Sequence, residues 1–144
     1  MMSDSPTTTL SERECWDLLG QHEFGRLAYH LTDEVHIAPV NYAVDRDRLV
    51  FRTAEGSKLL GVVMDSDVAF EIDQVDDEAE TAWSVVARGT AGILEGQEAR
   101  EVDNLRLRPW VGTEKFNVVA ITVTEVSGRS FALSRPWRHL RRHG

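Results

Sequence analysis

Residues 25–53 read GRLAYHLTDEVHIAPVNYAVDRDRLVFRT, and this stretch decides the fold class. Leu27, Tyr29 and Leu31 alternate with Arg26, Ala28 and His30, the period-2 pattern of a strand with one buried face. A Thr32-Asp33-Glu34 turn follows, then a second run over Val35–Val44. Asp45-Arg46-Asp47 turns that run into a third, Arg48–Thr53. Two turns of this kind between three β-rich runs predict a meander.

The strand signal continues downstream. Val68–Ile72 and Ala82–Leu94 read as strands, the latter bent at Gly89 or Gly92. Phe116–Thr124 and Arg129–Leu133 form a last hairpin around Ser127-Gly128. Helices are short by comparison. Ser11 with Glu14 three positions on is a capping box, and it opens a helix that Gly20 ends. Ser57–Met64 and Glu98–Leu105 give two more, and Arg108-Pro109-Trp110 marks a loop. Six or seven strands with short helices predict a mainly β fold, an antiparallel barrel or sandwich. Val50 and Arg52 oppose Leu49 and Phe51, and Val118 and Ala120 oppose Val119 and Ile121. Strands apolar on both faces need cover on the outside, from helices or from a second subunit. A small closed barrel that dimerises meets that need.

Composition sets the outer bounds. At 144 residues the chain is one domain with a sizeable core, and 42% hydrophobic with 28% charged residues is ordinary for a globular protein. Residues 1–9 are expected to be disordered, 10–134 to form the domain, and 135–144 to be a basic tail. That tail carries four arginines and no acid, whereas residues 1–134 carry 12 basic and 24 acidic side chains. A body so acidic repels nucleic acid. No apolar run approaches about 18 residues and the first residues lack a signal-peptide pattern, so no membrane partner and a cytoplasmic location are expected. Cys15 is the single cysteine, read as a buried helix thiol. The five histidines lack metal-ligand spacing with carboxylates, and His30 and His36 flanking one turn do not make a site, so no metal is expected. The acidic stretch Asp73–Glu80 reads as a solvated loop.

The chemistry-bearing segment is Phe51-Arg52-Thr53-Ala54-Glu55-Gly56-Ser57-Lys58. A strand ends in a hydroxyl, turns through a glycine and reopens as a helix at Ser57. Hydroxyls of Thr53 and Ser57, charges of Arg52 and Lys58, and free N–H groups at a helix start are suited to a phosphate. Pro39 in the second strand cannot donate to a ladder, which marks an edge or bulge. Backbone groups of Val40 and Asn41 beside it are then free to read a flat heterocycle. If these strands are hairpin neighbours, the ring-reading edge and the phosphate cradle lie together, and FMN fits the pair. Trp83 and Ser84 supply an aromatic wall and a hydroxyl.

Taken in order, Gly25-Arg26-Leu27-Ala28, Pro39-Val40-Asn41-Tyr42, Phe51-Arg52-Thr53 with Gly56-Ser57-Lys58, and Trp83-Ser84-Val85-Val86 with Gly89 resemble a known family. It is the pyridoxamine 5'-phosphate oxidase-like FMN-binding split barrels, over roughly Leu10 to Leu133 and in its small actinobacterial form. The resemblance implies a six-stranded antiparallel split β-barrel with short flanking helices, an obligate homodimer and FMN at the subunit interface. It implies that Arg52, Thr53, Ser57 and Lys58 hold the phosphate and that Val40 and Asn41 lie along the ring. The C-terminal motif that grips pyridoxal phosphate in the oxidase is absent, with Arg135-Pro136-Trp137-Arg138 only a faint echo, so vitamin B6 oxidation is not expected. The expected function is flavin-dependent oxidation or reduction of a small molecule, with NAD(P)H or deazaflavin (F420) as reductant. The substrate pocket is expected to be lined by Trp83, Tyr42 and Trp110, with no catalytic acid or base identifiable. The alternative is a non-catalytic module that binds or senses flavin, F420 or haem.

Overall fold

The computed structural model describes residues 7–54, 66–102 and 116–133. The expected helix at Ser57–Met64, the loop at 108–110 and the tail 135–144 lie outside the described residues. Within them the elements are β1 (Thr7–Leu10), α1 (Glu12–Gln21), β2 (Phe24–Leu31), β3 (Glu34–Asn41), β4 (Ala43–Asp45), β5 (Arg48–Ala54), β6 (Ser66–Asp76), β7 (Thr81–Leu94), α2 (Gly96–Val102) and β8 (Phe116–Ala132).

Capping starts α1 as expected. Ser11 Oγ accepts from the Glu14 amide at 3.1 Å, and Glu14 Oε1 accepts from the Ser11 amide at 2.9 Å. Cys15 and Leu19, one turn apart, are the buried stripe. The helix does not stop at Gly20. It runs through Gln21 and ends at His22 in extended geometry, because the chain passes straight into β2 and needs no left-handed turn.

The strands form one antiparallel sheet in the order β3-β2-β6-β7-β8-β5-β4, with β1 added on β8. The two ends of that order, β3 and β4, are consecutive in the chain. A single run, Glu34–Asp45, begins as the partner of β2 and finishes as the partner of β5, so the sheet curls until its ends share one strand. Tyr42 is the joint. Its amide donates to the Glu23 carbonyl at 2.9 Å, its hydroxyl to the Leu19 carbonyl at 2.7 Å, and its ring meets Phe70 edge-on at 4.8 Å. Leu27, Val40, Phe51, Phe70, Ile72, Val85 and Ile121 fill the interior.

Several expectations change. Val35–Val44 is not one strand paired throughout, since its partner changes at Tyr42. The last hairpin is instead one 17-residue strand, β8, that pairs with β1, β5 and β7 along its length. Thr7–Thr9, expected to be disordered, pair with Arg129–Phe131. Half of the acidic stretch belongs to β6, which runs to Asp76. Six strands become eight because β1 is added and the closing run counts twice. The bend in β7 falls at Gly89, where the register with β8 slips and leaves Thr124 unpaired. Gly89 sits against the Thr122 carbonyl with no room for a Cβ, while Gly92 has open space around it.

The doubly apolar strands are explained by α2. Val50, Val118 and Ala120 turn away from the interior and pack with Val102, Ala99 and Leu94 in a second cluster. The same outward face stays open over β2 and β3, where Phe24, Val35 and Ile37 are 49%, 66% and 70% exposed.

Candidate functional site

The β4–β5 ladder pairs Asp45 with Arg48, Val44 with Leu49 and Ala43 with Val50, and there it stops. Continued in the same register it would set Asn41 opposite Arg52 and Val40 opposite Thr53. Among the described residues the two strands pair no further beyond Tyr42, which leaves a split in the ladder between the edge of β3 and the end of β5. Four of the predicted residues therefore flank one gap, although β3 and β5 are not hairpin neighbours as the sequence suggested. They are brought together by the closing run, with β4 between them in the chain.

Each residue is placed by strand alternation. Val40 is buried, facing inward across from Gly25, where a Cβ would lie 2.7 Å from the Glu71 carbonyl. Thr53 also faces inward and is 6% exposed, and its Oγ1 is buried without a hydrogen-bond partner among the described residues. A hydroxyl left so is costly, and an incoming acceptor or donor relieves it. Arg52 and Asn41 face outward, half-buried, each engaged in an interaction of its own. Pro39 is exposed on β3, the terminal strand, as a residue that cannot donate to a ladder should be. Ser57 and Lys58 lie outside the described residues.

On β7 the two predicted residues part company. Ser84 faces outward, paired with Asp73. Extending the β2–β6 register by two steps puts Phe24 beside Asp73, so Asn41, Phe24, Asp73 and Ser84 share one outward row across four strands. Trp83 faces the other way, partly buried against the core, with its ring 5.1 Å from His22. Tyr42, expected in a substrate pocket, is 1% exposed and its burial pushes the phenol well up from its ordinary range. It is a core residue. Trp110 lies outside the described residues.

Sequence reasoning missed a cluster next to Pro39. Its cross-strand partner Arg26 pairs with Glu71 and, at 2.7 Å, with Asp73. Burial raises the Glu71 carboxyl and the Asp73 hydrogen bond adds to this, against the opposing effect of Arg26. The one available signal was an arginine inside a mainly apolar strand; its partners stand 45 and 47 residues away. His30 and His36 face opposite sides of the hairpin, since His36 is paired with Tyr29 and stacks on it at 5.5 Å. His36 Nε2 lies 3.2 Å from the Glu34 carboxylate but out of hydrogen-bond alignment. No group of three metal-ligating side chains forms among the described residues.

A split antiparallel sheet with this motif order has known counterparts. The family model described as pyridoxamine 5'-phosphate oxidase matches residues 11–130. The chain belongs to the pyridoxamine 5'-phosphate oxidase family. Among its members of known structure, a pyridoxamine 5'-phosphate oxidase-like protein of Corynebacterium glutamicum is 41% identical, with a TM-score of 0.82 over 93% of this chain and 99% of that one. An FAD-binding protein of Mycobacterium smegmatis is 35% identical, with a TM-score of 0.77 over 88% of this chain and 98% of that one. The uncharacterized protein Rv0080 of Mycobacterium tuberculosis is 32% identical over 83% of this chain and 82% of its own length.

Proposed function

We propose that the chain binds FMN at the split between β3 and β5 and works as a cytoplasmic homodimeric oxidoreductase of a small molecule, reduced by NAD(P)H or F420. The observation that carries the reading is the buried Thr53 hydroxyl, without a partner among the described residues, at the end of a strand beside Arg52. A phosphate oxygen placed there satisfies the inward-facing hydroxyl, and the outward-facing Arg52 adds positive charge to the same strand end. Ser57 and Lys58, four and five positions after Thr53, add the remaining donors. The family and the FAD-binding relative support a flavin, and the FMN portion is common to both cofactors.

Bound flavin supplies hydride and electron transfer, and the protein's part is to hold and orient it. Val40 and Asn41 offer the ring an edge, and the open face of Phe24 and Ile37 gives a second subunit an apolar surface to cover. Among the described residues no helix is long and apolar enough to cross a membrane.

Titration of flavin-free protein with FMN and FAD, followed by quenching of flavin fluorescence, tests the reading. The expected result is binding that Lys58→Ala weakens by about 1.5–3 kcal/mol, the size of a hydrogen bond to a charged group. Thr53→Val is expected to weaken it as well without lowering the melting temperature. Failure to take up either flavin would overturn the proposal, and unchanged affinity in both variants would move the phosphate elsewhere.

A further inference from the structure

Arg26 stands in the middle of the open outward face. Phe24 precedes it by two residues on β2, Pro39 is its register partner on β3, and Ile37 is its diagonal neighbour, all three exposed. A second subunit that covers Phe24, Pro39 and Ile37 therefore covers Arg26 as well, together with the β6 carboxylates it holds.

Those carboxylates outnumber it. Glu71 Oε1 accepts from Arg26 Nε at 3.0 Å and from its Nη2, and Asp73 Oδ2 lies 2.7 Å from the same Nη2. Two oxygens on one nitrogen lie within about two hydrogen-bond lengths of each other. Two carboxylates against one guanidinium leave one negative charge unbalanced on each protomer, and a twofold dimer buries two such clusters.

The charged groups around the pair do not cancel it. Arg88 on β7, a diagonal neighbour of Glu71, reaches Glu125 at 3.5 Å, and Arg129 on β8 is separated from Asp73 by Ser84. Asp67 and His30 lie four residues along β6 and β2, and β3 adds no ionisable side chain to this face.

Burying an unbalanced carboxylate is costly, and a proton shared between the two carboxyls removes that cost. In the single chain the Glu71 carboxyl is already pushed up, first by burial and then by its hydrogen bond with Asp73, while Arg26 opposes both. Resting on the homodimer of the reading above, we propose that assembly is proton-linked at this cluster, each protomer taking up one proton between Glu71 and Asp73 as its partner covers Arg26. Covering the face makes the pair hold its proton to higher pH in the dimer than in the monomer. The dimer is therefore tightest at low pH and loosens as pH rises above the ordinary carboxylate range.

Sedimentation equilibrium of the full chain from about pH 5 to about pH 8 tests it. The dimer Kd should rise with pH, by at most about a hundredfold per pH unit, the limit for two protons per dimer. Glu71→Gln, which mimics the protonated acid, should flatten that slope and keep the dimer tight at the upper end. Glu78→Gln removes the same charge from the exposed β6–β7 turn, and its slope should match the parent's. Dissociation heats in buffers of different ionisation enthalpy should show about two more protons released per dimer by the parent than by Glu71→Gln. A dimer whose Kd ignores pH, or a Glu71→Gln slope equal to the parent's, would overturn the proton link and leave the dimer standing. A monomer at every pH would remove the homodimer itself, and the link with it.

Discussion

Tyr42 carries more of the fold than any other single side chain on the closing run. Its ring fills the core against Phe70 while its hydroxyl ties the strand to the end of α1. Tyr42→Phe keeps the ring and removes the bond, so urea unfolding at neutral pH should show a loss of about 1 kcal/mol. The alkaline limb gives a second readout. Because burial raises the phenol's pKa in the folded state, the unfolded chain releases its proton first as pH rises. Stability from this residue is therefore present below the ordinary tyrosine range and is lost as pH climbs through and above it. Tyr42→Phe should lose less stability over that window than the parent, and identical pH profiles would contradict the burial argument.

Among the elements, α1 shows how much a short motif can fix. Ser11 and Glu14 were readable as a reciprocal cap because both partners lie within one turn, and Ser11→Ala should lower stability by about 1 kcal/mol in chemical unfolding. The two turns within residues 25–53 were legible for the same reason, being local, whereas the change of partner at Tyr42 between them was not. What was not legible depends on distant partners. Nothing near Ser127-Gly128 reveals that β8 continues, because the turn-like residues are straightened by pairing with β7, and Gly128 leaves room for Cys15 and Leu10. The threonines at 7–9 look unstructured until β8 is there to pair with them. In the candidate site, Val40, Asn41, Arg52 and Thr53 could be picked out by residue type and spacing. Phe24 and Asp73 could not, since only the assembled sheet puts them in line with Asn41 and Ser84, and Arg26 could not, since its partners Glu71 and Asp73 are distant in the chain.

For the whole molecule, the uneven outer surface is what bears on assembly. One part is covered by α2, while the part over β2 and β3 presents Phe24, Val35 and Ile37 to solvent. Light scattering at micromolar concentration should give the mass of two chains, and Ile37→Lys should shift it toward one; a monomeric parent would contradict the homodimer. The closing run has a mechanical consequence as well. A barrel stitched by a ladder around its whole circumference cannot widen without unzipping bonds. Here the circle is completed by covalent continuity through Tyr42, and among the described residues the seam beyond it holds no strand pair to break. Its lips can part by small backbone rotations while the rest of the sheet keeps its register. The seam's width is thus a soft coordinate in an otherwise stiff shell.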